Sequence, residues 1–130
     1  MTGAIGPQVE PMAATLDSEA LKTLVVDALD GLKAWDIKVI DVRDRSSITD
    51  FMVIASGTSN RHVKALSERV EEAARAHGVR PLGVEGADGA EWILVDLGDL
   101  IVHLMLPQTR AFYNLEKLWS VTEAAARSRG

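Results

Sequence analysis

Between Arg80 and Arg110 the chain carries no lysine or arginine, yet it holds Glu85, Asp88, Glu91, Asp96 and Asp99, together with Trp92 and His103. Carboxylates beside a histidine can serve as general acid and base, or hold a divalent cation. A second cluster, Asp41, Asp44 and Asp50, flanks a pair of apolar segments, and "SGTSNRHVK" follows the second of them. A serine–glycine turn between a strand and a helix can bind phosphate at the helix N-terminus. These residues define two classes of function: a metal-assisted phosphoryl or nucleotidyl transfer, and an acidic docking surface.

The residue pattern favours the second class. "SGTSNRHVK" lacks the glycine–lysine spacing of a P-loop and the three-glycine dinucleotide fingerprint. A nucleotidyltransferase would need paired acids soon after the turn, and no aspartate follows Gly57 before Asp88. His62, His77 and His103 stand at no metal-ligand spacing, and the chain has no cysteine. His62 falls at the start of a helix and His77 at its end, where structural roles are expected. His103 has no evident nucleophile beside it, which points to a hydrogen-bonded structural or interface histidine rather than a general base. "DRSSITD" reads as a connector in which Ser46, Ser47 and Asp50 bond the local backbone. A transferase using Asp41, Asp96 and the "SGTS" turn is the rival reading.

Charge supports docking. The chain has 19 acids and 14 bases, a net charge of -5. The base-free segment contributes five acids, so the remainder is balanced. Such a face repels phosphate and steers basic partners, which disfavours direct nucleic-acid binding there.

The elements that must position these residues follow from periodicity. Leu21, Leu24, Val25, Ala28, Leu29 and Leu32 mark an amphipathic helix, capped by Asp17 or Ser18 and ending near Trp35. "IKVIDV" and "FMVIAS" read as strands, the second buried on both faces. Thr58, Ser59 or Asn60 caps a helix bearing Val63, Leu66, Val70, Ala73 and Ala74, with Gly78 as its C′ residue. Strands are expected around 81–85, 91–97 and 100–106, joined by hairpin-like "GADGA" and "GD". A last helix after Pro107 carries Ala111, Phe112, Leu115, Leu118 and Trp119. The fold class is therefore α/β: one domain over 16–120, a mixed sheet of about five strands, and flexible tails at 1–15 and 121–130. A right-handed parallel crossover is expected through the second helix. Three helices cannot cover both faces, so part of one face should stand open or be covered by another chain. Alternation in "EWILVD" places Trp92, Leu94 and Asp96 on one face, and Glu91, Ile93 and Val95 on the other. Trp92 is either core or an aromatic anchor within an acidic rim; composition balances the two, and the missing helix cover favours the anchor.

With 130 residues and 47% hydrophobic content, a real core is within reach without disulfides. The N-terminus has no basic region followed by an apolar run, and no apolar run is long enough to span a bilayer. A cytoplasmic protein is expected.

"DVRDRSSITDFMVIASGTSNRHVKAL", "PLGVEG", "EWILVDLGDLIVHL" and "RAFYNLEKLW", in this order and spacing, resemble the ribosomal silencing factor (RsfS, or Iojap) family over roughly residues 20 to 120. The resemblance implies nucleotidyltransferase-like topology without catalysis and without cofactor. It implies binding to the large ribosomal subunit through ribosomal protein L-fourteen, steric block of small-subunit joining, repression of translation under nutrient limitation, and a homodimer when free. The family's interface motifs fall on Val84, Glu85, Glu91, Trp92, Leu94, Asp96, Asp99 and His103. Leu106 stands where family members often carry a second histidine, so no role for that histidine transfers.

Overall fold

The computed structural model describes residues 16–115. Leu118, Trp119 and both expected tails lie outside the described residues. Among these, three helices and a five-stranded mixed sheet form a single small domain.

Helix α1 (Ser18–Gly31) buries Leu21, Val25, Ala28 and Leu29, the stripe expected from their spacing. Asp17 caps it, its carboxylate accepting from the Ala20 N–H at 2.8 Å. The helix stops at Gly31, four residues before the expected end at Trp35. The cause is a reversal at Lys33, whose φ is 61°. The Lys33 N–H donates to the Asp30 carbonyl and the Ala34 N–H to the Leu29 carbonyl, closing a Schellman motif. A lysine there, where glycine is usual, left no mark in the sequence. Trp35 instead opens strand β1 (Trp35–Asp41), two residues earlier than "IKVIDV" suggested and with a register shift between Trp35 and Lys38.

Strand β2 (Phe51–Ser56) is buried throughout. Helix α2 (Asn60–Ala76) follows, capped by Ser59, whose hydroxyl accepts from the His62 N–H. It ends with Gly78 at φ 83°. The strands β3 (Gly83–Glu85), β4 (Trp92–Asp96) and β5 (Leu100–Met105), joined as two hairpins, come next, then helix α3 (Pro107–Tyr113).

The sheet order is β1-β2-β5-β4-β3. Only β2 and β5 pair in parallel; the other three pairings are antiparallel. One face packs Phe51, Val53, Ala55, Ile93, Val95, Leu100, Val102 and Leu104 against α1 and α2. The opposite face holds a smaller cluster of Met52, Ile54 and Met105, with Ile40, Trp92 and Leu115 packed on it. This second face was expected to be partly open. Its centre is in fact buried, and the α3 end of the chain supplies part of the cover through Tyr113 and Leu115. Toward β3 the cover fails: Leu94, Asp96 and Ile101 are only half-buried, and Glu85 is exposed.

Candidate docking surface

The antiparallel register sets which candidates meet. Leu94 lies opposite Glu85 on one side and His103 on the other, while Asp96 lies opposite Gly83 and Ile101. Strand partners point to the same face. Glu85, Trp92, Leu94, Asp96, Ile101 and His103 thus share the face turned away from α1 and α2. Val84 pairs with Val95 and packs against the helix-side core. Glu91 precedes β4 with the opposite parity to Trp92, and Asp99 sits in the β4–β5 turn.

Trp92 is not a free-standing anchor. Its ring lies 4.8 Å from Tyr113, tilted by 51°, and 5.9 Å from His103. Its indole N–H donates to His103 Nδ1 at 3.0 Å. An indole can only donate, so Nδ1 is the bare nitrogen and the neutral ring carries its proton on Nε2. His103 is 7% exposed, and burial pushes its pKa down from 6.5 to about 4. It is therefore a neutral acceptor at ordinary pH that fixes the indole. Asp96 is also partly committed, accepting from the Gly98 N–H at 2.9 Å and closing the β4–β5 turn. The accessible apolar part of the face is accordingly Leu94 and Ile101, with Trp92 half-buried beside them and the exposed ring of Tyr113 packed on it. Ile101 and Tyr113 were missed from sequence. Alternation within "LIVHLM" would have placed Ile101 with His103, but nothing local tied Tyr113 to Trp92.

The residues of the transferase reading do not converge. Asp41 pairs with Phe51 at the edge of the helix-side face, and Asp96 lies on the other face across two strands. The Arg43 guanidinium and backbone hold the Asp41 carboxyl down at about 2, with an Arg43 Nη2 to carboxylate distance of 2.6 Å. The "SGTS" turn is spent on the fold. Ser56 Oγ accepts from buried Arg110 at 3.0 Å, Ser59 caps α2, and the Thr58 N–H donates to His62 Nδ1 at 2.9 Å. His62 Nε2 in turn donates to the Leu32 carbonyl at 2.9 Å, tying α2 to the end of α1. Among the described residues no group of three or more acids and histidines is arranged to hold a metal ion.

Residues 15–129 match the family described as "Ribosomal silencing factor during starvation". The chain belongs to the ribosomal silencing factor family. It is 46% identical over 101 residues to the ribosomal silencing factor RsfS of Haemophilus influenzae, covering 78% of this chain and 99% of that protein. It is 40% identical over 101 residues to the mouse protein named "Mitochondrial assembly of ribosomal large subunit protein 1", covering 75% of this chain and 44% of that one. A crystal structure of a Chromobacterium violaceum protein superposes with a TM-score of 0.79 at 39% identity, covering 81% of this chain and 88% of that one. Family membership gives the chain a role in translation. No helix among the described residues is long and apolar enough to cross a membrane.

Proposed function

We propose that the protein is a non-enzymatic translational repressor in the cytoplasm. It docks on the large ribosomal subunit through ribosomal protein L-fourteen and sterically blocks joining of the small subunit when nutrients are scarce. The observation that carries this reading is the β3–β4–β5 face. It presents half-buried Leu94 and Ile101 beside Trp92, rimmed by Glu85 and Asp96, in a segment without a single base. A basic ribosomal protein is the electrostatic complement of such a face. The acids speed and orient association, and desolvating the apolar centre supplies affinity. No bond need form or break, because a body seated where the small subunit must land is sufficient. The homodimer of the free protein would bury the same kind of apolar surface.

The test is subunit joining with purified ribosomal subunits. Large subunits preincubated with the protein should remain separate from small subunits on a sucrose gradient, and the protein should migrate with the large-subunit peak. Full joining in the presence of saturating protein would exclude the reading. Migration with neither subunit would point instead to an adaptor for another basic protein.

A further inference from the structure

The loop beside the rim of the docking face is tied down by a residue that belongs to neither the rim nor its strands. Asn60, in the first turn of α2, donates from Nδ2 to the Gly89 carbonyl at 3.0 Å and to the Ala90 carbonyl at 3.3 Å. These are contacts across 29 and 30 residues of chain, and they reach the loop that joins β3 to β4. That loop is under conformational load. Ala90 sits at φ 56°, a left-handed conformation that costs a residue with a Cβ roughly 1 kcal/mol or more. Its N–H donates to the Gly86 carbonyl at 3.0 Å, and Gly86 itself has φ 87°. A Cβ on Gly86 would run into the Trp92 carbonyl oxygen. A strained turn persists only where its surroundings over-determine it. The Asn60 amide is the side-chain contribution to that hold, and the three acids on and beside the loop are Glu85, Asp88 and Glu91, all exposed.

We propose that Asn60 is a positioning residue for partner docking. By fixing the Gly86–Ala90 loop to α2, it holds Asp88, within the loop, and Glu85 and Glu91, at its two ends, in one arrangement; Glu85 belongs to the rim of the docking face, and Asp88 and Glu91 extend that acidic border beyond it. The inference rests on the docking reading and deepens it. A preorganised rim meets a basic partner without first losing loop freedom, which saves affinity that a mobile rim would forfeit.

Asn60→Asp is the informative variant. Aspartate suits the first turn of a helix, so α2 keeps its stability. The substitution, however, replaces the donor with a carboxylate that repels two carbonyls. It also adds a negative charge next to the rim, which on charge alone would favour a basic partner. The two effects therefore have opposite signs. The expected result is binding to isolated large subunits weakened by about 5-fold, the scale of coupling within one hydrogen-bonded network. Asn60→Ala, which adds no charge, should weaken it comparably. In a background carrying Glu85→Gln, Asp88→Asn and Glu91→Gln, Asn60→Ala should change affinity less than about 2-fold, because the rim it positions is gone. Amide exchange at Ala90 should accelerate in both Asn60 variants of the free protein. Unchanged or tighter binding by Asn60→Asp, equal losses in both backgrounds, or undiminished protection at Ala90 would each overturn the proposal. Wild-type binding by the neutralised background would remove these acids from the docking reading, and with them the role proposed for Asn60. The exchange measurement, made without ribosomes, separates that failure from a loop that Asn60 never held.

Discussion

At the scale of single residues, the Trp92–His103 pair decides how the face is built. The histidine is neutral because it is buried, and its bare Nδ1 accepts the indole proton. This has a pH consequence. The folded pKa is about 4 against 6.5 in the unfolded chain, so between those values the unfolded state binds the proton that the folded state refuses. Stability is therefore fully present above pH 6.5 and is lost as pH falls toward 4. The gap, at ~1.4 kcal/mol per pH unit, weakens folding by about 3 kcal/mol. Denaturant melts at pH 7 and pH 5 should show most of this loss in the wild-type chain, and His103→Gln should flatten the slope in that window. Trp92→Phe keeps an aromatic ring at the position but removes the donor. It should cost about 1–2 kcal/mol at pH 7 by leaving a buried acceptor unsatisfied, measured by the same melts. The sequence placed Trp92, Leu94 and Asp96 on one face correctly, because a two-residue period needs no tertiary information. It did not reveal that Tyr113 packs on Trp92 or that Asp96 closes its own turn. Those depend on where α3 returns and how the β4–β5 hairpin bends.

At the scale of elements, the same division holds between local periodicity and local backbone geometry. The strands, the α2 stripe, the Asp17 cap and the Gly78 stop all follow from residue types that have few alternatives. The α1 terminus was misread by four residues because Lys33 adopts a left-handed conformation without glycine to announce it. The Asn60 tie was invisible, since a first-turn asparagine looks like an ordinary cap and its partners lie 29 and 30 residues away. The β3–β4 hairpin is the element on which most depends. Gly86→Ala should lower stability by ~2 kcal/mol or more, from positive φ together with the collision on the Trp92 carbonyl. A thermal melt with no loss relative to wild type would mean that the hairpin can rearrange, and with it the rim.

At the scale of the whole molecule, one sheet face is used for folding and the other is divided. Helices α1 and α2 cover most of the first, with Val39 left exposed on the edge strand β1, while α3 leaves the β3 side of the second accessible. The five-acid excess falls on the hairpins that border this accessible part. The acids should therefore govern encounter with a basic partner. Glu85→Lys, an exposed change on that face, should slow association with large subunits several-fold and flatten its dependence on salt. Stopped-flow traces across ionic strength would reveal this, and unchanged rates would deny electrostatic steering. The apolar centre should instead govern how tightly the complex holds. The most direct measurement is the affinity of Leu94→Glu for isolated large ribosomal subunits, with the variant's fold verified by its melting curve. Docking centred on Leu94 predicts binding weakened by ~2 kcal/mol or more, roughly 30-fold, and a matching loss of the block on subunit joining. A folded Leu94→Glu variant that binds large subunits as tightly as the wild-type chain would contradict it.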